Sequence, residues 1–412
     1  MQKKYLAIFI AIAAAAAGLA VAFYPHPDTG RPLAQANAPA VRDNALKVEL
    51  VAEGLAMPTS MRFLDENNIL VLQKNDGEVR LVSNGQLVEK PVLKVDVPKG
   101  AEQGMLGIAV VPGEPDDVYL YFTENTAGDI LRNRIYKFTY DPEQRALVNG
   151  TLVLDLPGEP GPFHNGGKTA IGPDGRLYTV IGDTNAGGGM LDNDASGREP
   201  DDKSVIYRVD RQTGEGVDDN PFYGNENEKL HRYYAYGIRN SFGLDFDPVT
   251  GRLWMTENGE DEYDEVNLVT PGFNSGWHKL MGPMARSNVT ESDLVLFEGA
   301  KFSDPEFSWR DSIGVTDIEF IESDRLGNKY KDNVFVGDIN SGNIYFFELN
   351  GQRDGFVLQD GLSDTVGDNP DEISAITFAT GFAGITDIEM GPDGNIYVLS
   401  FLDGRIYRIT AS

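Results

Sequence analysis

The chain contains no cysteine among its 412 residues, and only four of its residues are histidine. Without cysteine it can form no disulfide, thiol nucleophile, zinc ribbon or lipid-modified cysteine. Basic residues are also scarce, because 35 Lys and Arg stand against 64 Asp and Glu for a formal net charge of −29. Nucleic acids and anionic membrane surfaces would be repelled by such a charge, so neither is an expected partner. The length suits one large β architecture or two ordinary domains.

The N-terminus carries an export segment at residues 1–24, where a basic start is followed by a long apolar run. The small residues Ala-Val-Ala at 20–22 offer a signal-peptide cleavage site. A run of this length can equally remain in the bilayer as a membrane anchor. Both alternatives predict an extracytoplasmic location for the folded part. Residues 25–45, rich in Pro, Ala, Asp and Asn without an apolar period, predict a flexible linker.

From residue 46 to residue 412 the chain loosely repeats a Pro-Asp-Gly type turn, an alternating strand, a second turn and another strand. The repeats lie at residues 63–82, 111–125, 171–183, 246–260, 325–349 and 390–409. Period-two alternation with Gly, Asn and Asp turns predicts antiparallel sheet. Repetition without a helical pattern between strands favours an all-β, six-bladed β-propeller with four-stranded antiparallel blades over a pair of β-sandwiches. The intervals 184–235 and 270–315 are then predicted to be long loops on one face.

Polar side chains stand just before the strands that would line the channel of a propeller. They are Gln103 in AEQGMLGIAVVP, His164 in GPFHNGGK, and Arg239 and Asn240 in YAYGIRNSFGLDFDP. Because the innermost strands of successive blades begin around one channel, these side chains are predicted to converge. The acidic stretch at 257–265 suits Ca²⁺, which takes carboxylates and backbone carbonyls from a glycine-bent loop. Each feature alone also has a simpler interpretation, as a structural histidine, a turn cap or a solvated loop.

The order of these motifs resembles that of a known family. Gln-Gly-x-Leu-Gly is followed by His-x-Gly-Gly, Gly-x-Arg-Asn-x-x-Gly-Leu, Glu-Asn-Gly with Asp-Glu-Val-Asn, and Asn-x-Gly-Trp. This series resembles the soluble glucose/sorbosone dehydrogenase family over nearly the whole chain after the linker. Members of that family are six-bladed propellers that use pyrroloquinoline quinone (PQQ) with calcium to oxidise aldoses. The resemblance therefore implies a small sugar substrate, PQQ, Ca²⁺ and an extracytoplasmic electron acceptor.

The resemblance also implies roles for individual residues. His164 matches the general base that takes the proton of the sugar's anomeric hydroxyl. Arg239 and Asn240 match residues that contact the quinone, and Gln103 matches a residue at the edge of substrate and cofactor. The positions that match calcium ligands are Gly259, Glu260, Glu265 and Ser275. The first two offer backbone carbonyls to the calcium that polarises the quinone, and the last two fall at a further, structural calcium.

The sequence departs from the family where relatives carry basic residues that hold the carboxylates of the quinone. Asn340, Gly384 and Thr386 occupy the positions at which Lys or Arg is expected. A cofactor with three carboxylates would therefore lose most of its counter-charges. Lys168 and Arg405 are the candidates to replace them.

Two alternatives to a sugar dehydrogenase remain. One is a calcium-dependent lactonase or hydrolase on the same propeller, in which the metal polarises a carbonyl and His164 or a carboxylate activates water. The other is a non-catalytic extracytoplasmic propeller that binds glycan or protein, with calcium holding its loops. Quinone binding and dye reduction by an aldose would distinguish the dehydrogenase from both.

Overall fold

The computed structural model describes residues 38–412, so the predicted export segment lies outside the described residues. Within that range the chain is built mainly of β-strands, with one α-helix, α1, at Pro370–Ile376. The strands of the first half are β1 Ala40–Val41, β2 Leu46–Glu53, β3 Pro58–Asp65, β4 Asn68–Gln73, β5 Glu78–Ser83, β6 Gln86–Leu87, β7 Leu93–Lys94, β8 Met105–Val111, β9 Glu114–Thr126, β10 Ile130–Asp141, β11 Ala146–Pro157, β12 Thr169–Ile171, β13 Leu177–Ile181, β14 Val205–Val209 and β15 Tyr233–Tyr236.

The second half continues the same pattern of short strands. They are β16 Gly243–Phe246, β17 Leu253–Glu257, β18 Glu262–Val269, β19 Phe273–Asn274, β20 Lys301–Phe302, β21 Phe307–Asp311, β22 Val315–Ile321, β23 Asn333–Asp338, β24 Ile344–Phe347, β25 Val366–Gly367, β26 Thr377–Thr380, β27 Ile385–Met390, β28 Ile396–Ser400 and β29 Arg405–Ala411. Short 3₁₀ helices occupy Met190–Asp192, Glu228–Arg232, Met284–Arg286, Glu291–Asp293 and Asp360–Leu362.

The described strands form six sheets, which we number by the chain order of their first channel-side strand. The orders are β3-β4-β5-β6 with β7 beside β5, β8-β9-β10-β11, β12-β13-β14-β15-β19-β20, β16-β17-β18-β21-β25, β22-β23-β24-β26-β1 and β27-β28-β29-β2. The innermost strands β3, β8, β12, β16, β22 and β27 each contact the next, and β27 contacts β3 again. This closed arrangement confirms the predicted all-β propeller fold.

The sheets are less uniform than the repeat pattern suggested. Sheets 2 and 6 have four strands, whereas the others carry additional short strands. The intervals that were predicted to be long loops also contain strands: β14 and most of β15 lie within 184–235, and β19, β20 and β21 lie within 270–315. A strand of two residues such as β19 has no alternation to read, so the sequence pattern missed it.

Sheet 6 joins strands from near the two ends of the described chain. Strand β2 pairs antiparallel with β29, in a register that places Leu46 opposite Ala411 and Glu53 opposite Arg405. Strand β2 therefore completes the sheet whose other strands are β27, β28 and β29, and this pairing closes the ring.

Of the predicted linker at 25–45, residues 25–37 lie outside the described residues, and the residues after them pair with the propeller. Strand β1 adds to the edge of sheet 5, with Ala40 opposite Thr380. Asp43 then accepts a hydrogen bond from the Tyr330 hydroxyl at 2.8 Å and pairs with the Lys329 ammonium at 2.7 Å. Backbone pairing and an ion pair hold the chain here, and the linker prediction considered only the absence of an apolar period.

Hydrophobic clusters fill the spaces between neighbouring sheets in the described part of the chain. Between sheets 4 and 5, for example, the fully buried Trp254 and Trp309 pack with Phe320 and Phe347. A buried aromatic side chain removes about 150–250 Å² from water, so these contacts hold adjacent sheets face to face. Among the described residues, no helix is long and apolar enough to cross a membrane.

Candidate active site

Three polar segments converge at one end of the ring, as the sequence predicted. Glu102, His164 and Asn240 each precede an innermost strand, namely β8, β12 and β16. One carboxylate oxygen, Glu102 Oε2, accepts hydrogen bonds from the His164 backbone N–H at 2.6 Å and from Asn240 Nδ2 at 3.0 Å. Residues from three successive sheets are thus joined at what we call the mouth, the end of the ring where these three residues lie.

The His164 imidazole is held by a carboxylate. Its Nδ1 lies 2.6 Å from Asp183 Oδ1, and both side chains are buried. Asp183 also accepts hydrogen bonds from the Asn185 backbone N–H at 2.7 Å and from Trp277 Nε1 at 3.0 Å. Burial acts to raise the pKa of Asp183, but the hydrogen bond and charge of His164 together with these other donors hold it below its ordinary value. An ionised carboxylate can only accept, so Nδ1 carries the hydrogen and Nε2 is left free to take a proton.

Asp183 and Trp277 were not among the predicted site residues. Asp183 ends the Gly-Asp pair after β13, and that pair was the only sequence signal for it. Trp277 follows β19, almost a hundred residues further on, and reaches Asp183 only through the fold.

Arg239 presents a fixed positive charge beside this pair. Its guanidinium lies 5.3 Å from the centre of the Trp277 ring, a cation–π distance. Its Nη1 donates to the Asn258 carbonyl at 3.2 Å, and its backbone N–H donates to Glu257 Oε1 at 2.7 Å. The guanidinium Nε is buried without a hydrogen-bond partner. Arg239 therefore keeps a buried donor that an anionic or electron-rich ligand atom would satisfy.

Gln103, predicted at the edge of substrate and cofactor, lies next to the residue that joins His164 and Asn240. Glu102, and not Gln103, makes the contacts with His164 and Asn240. The Gln103 side chain is buried against Gly100, since a Cβ on that glycine would lie 2.2 Å from Gln103 Oε1.

The four predicted calcium residues lie in two places near the mouth. Gly259 and Glu260 form the turn between β17 and β18, where the Gly259 N–H donates to Asp264 Oδ1 at 2.9 Å and Glu260 is exposed. Ser275 donates to Glu257 Oε2 at 2.5 Å, and Glu265 lies opposite Glu257 in the β17–β18 ladder. Glu257, which the sequence interpretation did not single out, is thus the residue that joins Glu265 and Ser275.

Glu257 and Glu265 are fully buried neighbours of like charge. Burial, together with repulsion from Glu265, raises the pKa of Glu257 well above its ordinary value. Burial raises the pKa of Glu265 to about 7. A divalent cation with oxygen ligands would allow both groups to ionise. Residues 38–412 contain no cluster of three or more His, Asp or Glu side chains able to hold a metal, so such a cation would need backbone carbonyls as well.

The channel beneath the mouth is filled by buried charges. The Lys168 ammonium lies 2.6 Å from both Asp317 Oδ1 and Asp387 Oδ1. Lys168 is therefore already neutralised and cannot serve as a counter-charge for a cofactor. Arg405 lies on β29, the third strand of sheet 6, where it pairs with Glu53 at 3.3 Å. Neither candidate replacement for the missing basic residues is thus available at the mouth.

One further cation lies close to the mouth. Lys74 Nζ donates to the Gly100 carbonyl at 3.2 Å and to Asn75 Oδ1 at 3.0 Å. Burial lowers the pKa of Lys74 to about 8, although the charge of Glu102 opposes that shift. Lys74 is still mainly protonated at neutral pH, so it adds positive charge to the segment that carries Glu102.

Comparison with known proteins identifies a family for the chain. The family model for glucose/sorbosone dehydrogenases matches residues 55–408. The chain is 26% identical over 364 residues to the aldose sugar dehydrogenase YliI of Escherichia coli K12, covering 86% of this chain and 90% of that protein.

Two solved structures show the same fold. The soluble aldose sugar dehydrogenase from Escherichia coli in its apo form superposes with a TM-score of 0.71 at 23% identity, covering 89% of this chain and 100% of that one. The PQQ-bound aldose sugar dehydrogenase from Streptomyces coelicolor gives 0.68 at 24% identity, covering 91% and 100%. Because the family model spans most of the sequence, the chain belongs to the glucose/sorbosone dehydrogenase family.

Proposed function

We propose that this protein is a PQQ-dependent sugar dehydrogenase that oxidises an aldose to its lactone. The observation that carries the proposal is the buried His164–Asp183 pair, with an Nδ1–Oδ1 distance of 2.6 Å, at the mouth of a propeller of this family. The related proteins named aldose sugar dehydrogenase support the substrate class.

The residues at the mouth suit removal of a hydride and a proton from one alcohol. The lost hydride leaves the anomeric carbon and the proton leaves its hydroxyl, so a base near that hydroxyl lowers the barrier. His164 Nε2 is the base, because Asp183 occupies Nδ1. The positive charge that forms on the imidazole is stabilised by the ionised Asp183 carboxylate. Bound PQQ would supply the acceptor of the hydride.

The residues present fit a planar, anionic cofactor at Arg239. Its unpartnered Nε and its fixed charge are available to an acceptor oxygen, and Asn240 lies beside it in the chain. Counter-charge for the cofactor's carboxylates falls to Arg239 and Lys74, since Asn340 lies against Gly314 and is neutral. The weaker charge complement predicts looser cofactor binding than Lys or Arg at that position would give.

We further propose that calcium binds where Gly259 and Glu260 present backbone carbonyls and where Glu265 lies buried beside Glu257. Ser275 then completes the surroundings of Glu257. The support is chemical: two adjacent buried carboxylates need a cation to ionise, and hard cations take oxygen ligands.

The remaining proposals concern the number of propeller blades and the cellular location of the protein. We take each of the six sheets as one propeller blade, supported by the ring of contacts among innermost strands. Residues 1–24 have the composition of an export signal or anchor, which supports an extracytoplasmic location and an electron acceptor in the same compartment.

Reconstitution with PQQ and Ca²⁺ tests the proposal. The wild type is expected to show the absorbance of bound quinone and to reduce a dye when an aldose is added. His164→Ala removes the base and is expected to lower kcat by about 10²–10⁴-fold while quinone absorbance is retained. Absence of both quinone binding and aldose-dependent dye reduction would refute the dehydrogenase. Quinone-independent lactone hydrolysis that is lost in His164→Ala would favour a lactonase instead.

A further inference from the structure

We propose that Glu102 is a positioning residue, whose carboxylate holds His164 and Asn240 in the arrangement that the reaction requires. The inference rests on the proposed function for its catalytic consequence, but its structural part concerns only this chain's own contacts.

Glu102 binds the histidine segment through both its backbone and its side chain. The Glu102 N–H donates to the Pro162 carbonyl at 3.0 Å. The His164 N–H donates in return to Glu102 Oε2 at 2.6 Å. Asn165 Nδ2 also donates to the Pro162 carbonyl, at 3.0 Å. The loop before β12 is therefore fastened to the loop before β8 at two successive points.

The same carboxylate oxygen reaches the next sheet. Asn240 Nδ2 donates to Glu102 Oε2 at 3.0 Å, while Asn240 Oδ1 accepts from the Gly166 N–H at 3.3 Å. Asn240 thus contacts Glu102 on one side and the histidine loop on the other. Because Gly166 follows His164 by two residues, the hydrogen bonds form a closed circuit through Glu102, Asn240 and this loop.

The backbone of His164 needs such support. Its φ of 60° lies in the left-handed region, which is unfavourable for a residue with a Cβ. Strained conformations of this kind persist only where the surroundings fix them. The Glu102 carboxylate engages the N–H on one side of that strained residue, and the Thr184 N–H engages its carbonyl on the other at 3.3 Å. Loss of Glu102 is expected to release the backbone and with it the imidazole.

The role requires an acceptor oxygen on a side chain of this length, and a carboxylate supplies the stronger acceptor. A single oxygen that accepts from two N–H groups is best supplied by an ionised acceptor, because charge-assisted hydrogen bonds are about twice as strong as neutral ones. Glutamine can place an uncharged oxygen at the same point. Aspartate is shorter by one methylene and cannot reach both His164 and Asn240 from the same backbone.

The test compares Glu102→Gln, Glu102→Asp and Glu102→Ala with the wild type. Hydrogen exchange of the His164 backbone amide, followed without cofactor, is expected to become at least about 10-fold faster in the Ala and Asp variants and to change less in the Gln variant. In reconstituted protein, kcat is expected to fall by about 10- to 100-fold in the Ala variant with KM for the sugar changed by less than about 3-fold. The Gln variant should recover most of this loss.

Glu66→Gln is the matched control, because Glu66 is exposed in the β3–β4 turn at the opposite end of the ring. It should alter neither exchange nor kcat. If Glu102→Ala does not fold, the Asp variant carries the same comparison.

Unchanged exchange at His164 in Glu102→Ala or Glu102→Asp would overturn the proposal, as would equal loss of kcat in the Gln and Ala variants. A wild type that oxidises no aldose would refute the proposed function instead, while the exchange measurement would still decide whether Glu102 positions His164.

Discussion

Replacing Asp183 with asparagine removes one charge and one acceptor atom from the group that orients the imidazole. In the wild type, Oδ1 accepts from His164 Nδ1 and the Asn185 N–H, and Oδ2 accepts from Trp277 Nε1. An asparagine amide has one acceptor oxygen and one NH₂ group. If the amide oxygen faces His164, the NH₂ group faces Trp277 Nε1, so that two hydrogen-bond donors meet. In the reverse orientation it opposes the Asn185 N–H and forces the His164 proton onto Nε2.

The magnitude follows from these contacts. A hydrogen bond to a charged group contributes about 1.5–3 kcal/mol. Loss of that stabilisation from the protonated imidazole corresponds to a decrease in kcat of about 10- to 150-fold, since each 1.4 kcal/mol is a factor of ten. A reversed amide would give a larger decrease, because the Nε2 base would then already carry its proton.

The assay is dye reduction by an aldose at saturating PQQ and Ca²⁺, with kcat and KM determined separately. Asp174→Asn is the matched control. Asp174 lies in the β12–β13 turn of the same sheet, at the end away from the mouth, and its carboxylate pairs with a cationic side chain, that of Arg208. That variant should keep wild-type kcat. A kcat for Asp183→Asn within about twofold of the wild type would show that the carboxylate does not support the base.

Two further predictions concern stability. Calcium should raise the melting temperature more at pH 8 than at pH 5.5. The pKa values of Glu257 and Glu265 are raised in the folded protein, to about 7 for Glu265. The stability that the two protonated carboxyls contribute is therefore present below their unfolded-state pKa and is lost as the pH rises through their folded-state pKa. Scanning calorimetry with calcium and with chelator measures this, and an equal shift at both pH values would contradict it. Gly107→Ala should lower the free energy of unfolding by about 1–3 kcal/mol, because the new Cβ would lie 1.9 Å from the Gly167 carbonyl between β8 and β12. Urea unfolding checks the second prediction, and an unchanged midpoint would show that the two strands can separate without cost.

The repeated turn and strand units were readable because each contains enough alternation to specify a face. The unit at 390–409, for example, contains β28 and most of β29, and the unit at 171–183 contains β13. Very short strands such as β25 add to existing edges, where the partner rather than the sequence determines pairing. Repeat patterns therefore predicted the ring but not the full width of each sheet.

Site residues could be predicted from the sequence where their position before an innermost strand places them at the mouth. His164 was identified because it precedes an innermost strand in a glycine-rich loop, and the structure places it at the mouth. Glu102 was not named, because no sequence pattern shows that the residue before Gln103 contacts His164 and Asn240. Lys168 was suggested as a counter-charge, but Asp317 and Asp387 approach it from two other sheets. Such pairings depend on distances across the channel, which no local sequence pattern contains.

The pairing of β2 with β29 has a consequence for biosynthesis. The ring cannot close until Arg405–Ala411 has left the ribosome, because that strand is the partner of Leu46–Glu53. Contacts between residues so distant in sequence form slowly, and a nascent chain exposes unpaired strand edges until they do. A truncation that removes only β29 would spare each residue of the mouth and still leave an open ring. Loss of β29 is therefore expected to act through proteolysis and aggregation of the new chain, although every residue of the mouth is still present.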